Sequence, residues 1–592
     1  MRLALLFAVS VLTLAGCAAP PAGDPGRPST ASDGASSARE WRLKGRAMAA
    51  AADPRAVQAA LDVMQAGGSA VDGAIAAHAV LGLVEPQSSG LGGGGFMVVY
   101  DRRSNTTKVF DGREAAPATA TPDLFSWQGK QLGFGPAVFS GKSVGVPGVV
   151  ALYKTAHDEY GKLAWKQNFE AAIDLADKGF IVSERLSRSL DNPRFIRGPL
   201  GTDPVSQAYF FPEGKPLEPG YRRTNKDYAD VLRAVATSGP AAFYAGGIAD
   251  GIVAAVRSGE IPGELSLKDL ADYRVRTAPA VCGPFRSYTI CSAPPPSSGG
   301  MAMNQLMGLY EAIRSTSSGT GEADRLRDFV MAEQLTYADR DHYVADAAFV
   351  TVPMKDLLHP DYIRSRAASG FKPGDKPEPG DPGAVLRQAP IIDMWGRDAT
   401  TPRAGTTHMS FVDFEGNAVS FTATIEGPFG SSRFTNGFLL NNELTDFSLT
   451  PRVNGKPVAN APGPGKRPRS SMSPTIVFDG NGDLFMVTGS PGGNSIIGYV
   501  AKTLVAVLDW NRTAQEAAGL PNIVARGQTV RVESTDETGK AWASMLTQAG
   551  FKVQEVEGEM SGLHLIVARQ STLEGGADPR KDGAAIEIVK GR

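Results

Sequence analysis

"RAGTTHMSFVDFEGNAVSFTATIEGPFG", residues 403–430, is the stretch on which the fold of this chain turns. From 407 to 425 the residues alternate and are rich in β-branched and aromatic types, with one break at Phe414-Glu415-Gly416. That pattern predicts an antiparallel hairpin. With a three-residue loop and Gly416 in the left-handed region, Thr406 stands opposite Thr424 with Cβ atoms roughly 5 Å apart; a two-residue loop moves the register by one. A threonine at the head of a strand, between Gly405 and Thr407-His408, has two readings: an ordinary β-branched residue, or a nucleophile.

Around this hairpin the chain has 592 residues, 42% of them hydrophobic, which is enough for a large core and for more than one folding unit. A net charge of -2 with scattered Lys and Arg argues against a nucleic-acid partner. The start, "MRLALLFAVSVLTLAGCAAP", has one Arg and an apolar run too short to span a bilayer comfortably, so it reads as an export signal. Its end, Leu14-Ala15-Gly16-Cys17, resembles a bacterial lipobox, which implies cleavage before a lipidated Cys17; the plainer alternative is a secretory signal ending near Ala18-Ala19. Acylation of Cys17 predicts a stable anchor, and Ala18 after it points to the outer membrane of a Gram-negative host. Residues 18–40 are poor in large apolar side chains and rich in Pro, Gly and Ser, as a disordered tether is. Cys282 and Cys291, in "VCGPFRSYTICS", flank a Gly-Pro turn between two β-prone runs, which leaves open a cross-hairpin disulfide or two reduced thiols. No Cys/His spacing suggests a metal site, and no cofactor is expected.

Along the chain, residues 46–84 carry apolar residues at helical spacing in two stretches split by Gly67-Gly68, and read as two packed helices. In "EPQSSGLGGGGFMVVYD", Gly90, Gly92 and Gly95 match G-x-G-x-x-G, but a helix precedes and a strand follows, the reverse of the dinucleotide fingerprint. Those glycines read as a tight backbone turn. Residues 145–345 are mostly helical by pattern, 366–405 read as an exposed connector, and beyond 407 strands recur in "PTIVFDGNGDLFMVTG", "TVRVES" and "LHLIVARQ". The blocks of helix and strand imply layered α and β structure.

A threonine hydroxyl needs a base beside it. The six histidines are scattered and no G-x-S-x-G elbow is present, so a Ser-His-Asp triad has no support. The remaining solution is a threonine whose own α-amino group, with a pKa near 8 in model compounds, accepts the proton. That requires a cut before the threonine.

Seven motifs spread over residues 44–590 resemble the γ-glutamyltranspeptidase family of N-terminal-nucleophile hydrolases: "EPQSSGLGGGGFM", "DGREAAP", "PPPSSGG", "TTHMSFVD", "LLNNELTDFS", "KRPRSSMSPT" and "TGSPGG". The resemblance implies an α+β fold, a four-layer αββα sandwich. It implies a precursor that cleaves itself between Gly405 and Thr406 into a large part, 41–405, and a small catalytic part, 406–592, which stay together as a heterodimer. Thr406 is then the nucleophile and Thr424 the hydroxyl that supports it. Arg113, Ser470 and Ser471 are implied to bind the donor's α-carboxylate and Glu443 and Asp446 its α-ammonium, with the Gly492 and Gly493 amides facing the oxyanion. Gly405 suits a strained scissile bond because it lacks a Cβ.

Two features depart from the pattern. Glu426 stands where some members carry Asn beside the ammonium site, and the segment between Asp446 and Ser470, a lid in some members, is intermediate in length. The implied reaction is ping-pong transfer of a γ-glutamyl group, from glutathione or a related amide, to water or to an amino acid or peptide. The alternatives are a cephalosporin or glutaryl acylase on the same scaffold, and an uncleaved lipoprotein that only binds γ-glutamyl peptides.

Overall fold

Two antiparallel sheets meet face to face, and the 403–430 hairpin lies in the middle of the first. The computed structural model describes residues 41–398, 400 and 405–591; Cys17 and the tether fall outside them. The strands of the two sheets are β1 (Arg46–Ala51), β2 (Gly94–Asp101), β3 (Thr106–Asp111), β4 (Arg276–Pro279), β5 (Val281–Phe285), β6 (Tyr288–Ser292), β7 (Thr406–Val412), β8 (Ala418–Thr424), β9 (Thr475–Phe478), β10 (Leu484–Thr488), β11 (His564–Ala568), β12 (Leu573–Ala577) and β13 (Ala584–Val589). The first sheet runs β13-β1-β7-β8-β2-β3-β4 and the second β12-β11-β10-β9-β6-β5.

The hairpin has the three-residue loop. Asp413 N donates to Asn417 O at 3.0 Å, Gly416 takes φ +83°, and Thr406 pairs with Thr424. Every residue of β7 and β8 is buried, because helices cover one face of the sheet and the second sheet covers the other. Met409, Phe411, Phe421 and Ala423 pack toward α1 (Pro54–Gln65) and α2 (Ala70–Val84). The even-numbered residues face the second sheet: Ser410 Oγ donates to His564 O at 2.8 Å and Ser420 Oγ to Thr488 O at 2.9 Å. Helices α3 (Gly299–Thr316), α4 (Glu322–Tyr343) and α5 (Ile496–Leu508) close the far side of the second sheet. The result is the expected α+β sandwich of four layers, αββα. Among the described residues no helix is long and apolar enough to cross a membrane.

One reading needs correction, and two are extended. Residues 46–51, "RAMAAA", form β1 between β7 and β13 rather than the start of a helix. Their alanines alternate into the two cores, where a small side chain lets the covering layers approach, and this tertiary demand overrides helix propensity. Over its described residues the 366–405 stretch is mostly exposed or half-buried, as a connector is, yet it is structured. It contains a helix at Pro382–Arg387 capped by Asp381, whose carboxylate also accepts from the amides of Ile391 and Ile392, and Asp398 and Thr400 are buried. The glycines before β2 do form a tight turn, closed by Gly93 N donating to Gly90 O at 3.1 Å, and they serve close approach as well: a Cβ on Gly93 would lie 2.0 Å from Thr424 O.

The cysteine pair is settled in favour of the bridge. Cys282 and Cys291 are directly opposed across β5 and β6 and joined as a disulfide.

Candidate active site

The strand start of β7 and the strand end of β8 bring three oxygens together. Thr424 Oγ1 lies 3.0 Å from Thr406 Oγ1 and 2.9 Å from Gly405 O, and it accepts the Glu426 N–H at 2.8 Å. A hydroxyl has one proton. A carbonyl oxygen can only accept, so that proton goes to Gly405 O, and Thr406 must then donate to Thr424. Thr424 therefore polarises the Gly405 carbonyl while receiving the proton of the adjacent Thr406 hydroxyl. Both threonines are buried, at 6% and 2% exposure, so bulk water does not compete for these bonds.

Gly405 is required by space and not by conformation. Its φ is not positive, and a Cβ there would lie 2.4 Å from both Glu426 O and Gly427 C. Glu426, by contrast, takes φ +73°, a left-handed conformation costing a side-chain-bearing residue of order 1 kcal/mol or more. That turn aims its amide at Thr424, and its buried carboxylate accepts from Asn442 Nδ2.

Arg113, Glu443 and Asp446 meet in one buried cluster. Arg113 Nη1 pairs with Glu443 and Nη2 with Asp446 Oδ2 at 2.5 Å, while Nε and Nη2 also donate to Pro468 O and Arg469 O at 3.1 and 2.9 Å. The resemblance divided these residues between two ends of a substrate, whereas in the fold they bind one another. Burial pushes the Glu443 and Asp446 carboxyls up, against the opposing pull of Arg113. Burial alone would lower Arg113, but Glu443, Asp446 and Glu114 outweigh it and hold the guanidinium charged. Glu114, whose two oxygens are buried without a hydrogen-bond partner among the described residues, is pushed up to about 8 chiefly by burial. It was legible only as the neighbour of Arg113 in "DGREAAP".

Arg113, Thr406, Thr424, Glu426, Glu443, Asp446, Ser470, Ser471 and Gly493 all line one cleft. Its free volume is about 20 Å³, room for roughly one water. Gly492 and Gly493 take φ +138° and +58° in the turn before α5, and their amides carry no hydrogen bond among the described residues. Two groups here were not singled out from sequence. Arg340 of α4 donates from Nη2 to Ser471 Oγ at 2.5 Å, and Asn494 Oδ1 lies 3.1 Å from the same hydroxyl. Arg340 sits in a helix far from every quoted motif, so no local signal marked it. The 447–469 segment carries a short hairpin, Arg452–Val453 with Lys456–Pro457, and is tied to the site by Asn460 Nδ2, which donates to Asp446 O at 2.7 Å.

A sandwich with a threonine at the head of a central strand, its hydroxyl beside the preceding carbonyl, is the architecture of the N-terminal-nucleophile hydrolases. The fold matches the crystal structure of a cephalosporin acylase from Bacillus halodurans with a TM-score of 0.79 at 26% identity, over 92% of this chain and 96% of that one. A family model described as gamma-glutamyltranspeptidase matches residues 56–588, and the chain belongs to that family. It is an enzyme of the hydrolase and transferase kind. Relatives include a "Glutathione hydrolase proenzyme" of Bacillus subtilis (strain 168), 34% identical over 91% of both chains. Another is an "Acylase ACY 1 proenzyme" of Pseudomonas sp. (strain SE83), 30% identical over 92% of this chain and 94% of the relative.

Proposed function

We propose that this chain is a γ-glutamyltransferase and glutathione hydrolase made as a self-cleaving precursor. The observation that carries the reading is the 2.9 Å hydrogen bond from Thr424 to Gly405 O, with the Thr406 hydroxyl beside it. Thr406 Oγ1 attacks the Gly405 carbonyl carbon, the C–N bond breaks, and Gly405 becomes an ester on Thr406. Water hydrolyses that ester and leaves Thr406 with a free α-amine. Residues 41–405 and 406–592 become the large and small parts. Departure of the Gly405 end makes room in a cleft otherwise too small for a glutamyl group.

In turnover the α-amine takes the Thr406 proton and Oγ1 attacks the γ-amide carbonyl. The Gly492 and Gly493 amides stabilise the oxyanion, an effect of roughly 3–4 kcal/mol per donor in comparable sites. The amine leaves with the proton, and the γ-glutamyl ester passes to water or to an amino-acid or peptide amine. Glu443, Asp446 and Glu426 receive the α-ammonium, and Arg113, Ser470 and Ser471 receive the α-carboxylate.

Similarity to acylases of known sequence and structure supports a second reading, a glutaryl or cephalosporin acylase. The acidic cluster favours the first, because a glutaryl group has no ammonium to satisfy it. The test is intact mass under denaturing conditions for the parent and for Thr406→Ala, followed by turnover of γ-glutamyl and glutaryl anilides. Two fragments in the parent, one beginning at Thr406, and one chain in the variant are expected; one uncut chain in both overturns the reading and leaves a protein that only binds γ-glutamyl peptides. The chain is further proposed to be exported and anchored through lipidated Cys17 at the periplasmic face of the outer membrane, a reading that rests on the Leu14–Cys17 pattern.

A further inference from the structure

Arg113 has little left to offer a carboxylate beyond the bonds it already makes. Of the five N–H groups of a guanidinium, four are committed, to Pro468 O, Glu443, Asp446 and Arg469 O. The formal charge beside it is acidic, with Glu114, Glu426, Glu443 and Asp446 all buried. The other wall of the cleft, behind Ser471, is basic. Arg340, Arg469 and Arg526 share two carboxylates: Asp341 pairs with Arg340 at 2.7 Å and with Arg526 at 2.8 Å, and Asp398 pairs with Arg469 at 2.7 Å. Three guanidiniums face two carboxylates, and Arg340 at 0% exposure is the one that reaches the cleft lining, through Ser471.

The proton inventory at Ser471 shows how that charge is delivered. Arg340 Nη2 can only donate, so Ser471 Oγ accepts from it and sends its own proton to Asn494 Oδ1, 3.1 Å away. A hydroxyl that accepts from a cation is a stronger donor. When a carboxylate enters, the Ser471 proton swings to it, and Asn494 Oδ1 is not stranded because Arg340 Nη1 lies 3.3 Å from it. The same helix face holds the oxyanion turn. Tyr337 Oη donates to Asn494 O at 2.5 Å, and Asn494 directly follows Gly493. Ser298 Oγ, 2.9 Å from Arg340 Nε, fixes the guanidinium from behind.

We propose that Arg340 is a positioning residue for the donor's α-carboxylate, charging Ser471 as a hydrogen-bond donor while Asn494 ties the same guanidinium to the Gly492-Gly493 turn. This rests on the γ-glutamyl reading of the cleft and adds a source for the cationic half of its polarity. It makes recognition of the carboxylate and placement of the oxyanion donors parts of one buried network.

The test uses the self-cleaved protein and two donors, γ-glutamyl para-nitroanilide and γ-aminobutyryl para-nitroanilide, which lacks only the α-carboxylate. Arg340→Met is expected to lower kcat/KM on the γ-glutamyl donor about 10- to 100-fold and on the γ-aminobutyryl donor less than about threefold, with Arg340→Lys recovering part of the difference. An equal fall on both donors, in a variant whose mass shows complete self-cleavage, makes Arg340 a scaffold residue and overturns the proposal. A parent that turns over both donors alike overturns the γ-glutamyl reading itself, and the proposal with it. If Arg340→Met does not mature, Ser471→Ala is compared in the parent and in Arg340→Lys. A Ser471→Ala loss that is the same in both backgrounds overturns the proposal; a markedly smaller loss in Arg340→Lys is the expected result.

Discussion

Thr406 and Thr424 face each other across two neighbouring strands with their hydroxyl oxygens 3.0 Å apart, and the second hydroxyl is bonded to the carbonyl that the first would attack. Thr424→Ala removes both the polarising donor and the proton acceptor. We expect self-cleavage to slow by about 100-fold or more, while Thr424→Ser keeps most of the rate. A mass-resolved time course of freshly purified precursor measures it, and an unchanged rate in Thr424→Ala would remove Thr424 from the cleavage step.

Gly405→Ala probes space at the scissile bond. The new Cβ would lie 2.4 Å from Glu426 O and Gly427 C, both backbone atoms that cannot swing aside. A cost of about 1–3 kcal/mol in the precursor, together with a displaced carbonyl and slowed cleavage, is expected. Chemical denaturation of Thr406→Ala with and without Gly405→Ala isolates the stability part from the cleavage.

Glu443→Gln keeps the shape of the cluster and removes one charge. For a donor with an α-ammonium, kcat/KM should fall about 10- to 100-fold, whereas a glutaryl donor, which has none, should be affected little. Equal losses on the two donors would detach Glu443 from ammonium recognition.

Glu333, on α4 with its carboxyl against Gly498 of α5, gives a pH prediction away from the cleft. It is fully buried, and burial pushes its carboxyl from the ordinary 4.5 up to about 8. Between those values the unfolded chain has lost the proton and the folded chain keeps it. Folding then binds more protons, so this group makes stability fall as pH rises across that window, by up to about 1.4 kcal/mol per pH unit. Glu333→Gln removes the slope. Its melting temperature should gain on the parent's between about pH 5 and pH 8; a difference that does not change with pH would mean that Glu333 is already ionised.

Cys17→Ala tests the anchor. The parent should partition with detergent or the outer-membrane fraction and the variant should not, with glutathione turnover the same in both once solubilised. A parent recovered wholly in the aqueous phase would favour the plain secretory signal.

The hairpin was legible because β-branched alternation and a Phe-Glu-Gly loop are local properties; they placed Thr424 opposite Thr406 or one step from it, and the Asp413–Asn417 pairing in the fold decided the register. The Ala-rich β1 was not, since an alanine run favours a helix until neighbouring strands and two cores require small residues in extended form. The reason for Gly405 was also out of reach. The sequence marks it as a residue without a Cβ, but only the fold brings the Glu426-Gly427 backbone into the volume a Cβ would fill.

The sequence by itself determined the class of chemistry, the layered α and β architecture, and the residues of the cleft that lie in short motifs, because each of these is written in neighbouring positions. Only the tertiary structure decided that Arg113 holds Glu443 and Asp446, 330 and 333 positions away, that Cys282 and Cys291 are joined, and that Arg340 of a distant helix stands behind Ser471. The physical reason is burial. A charge withdrawn from water must find its partners wherever the packed layers bring them, and chain order does not record which surfaces those layers press together.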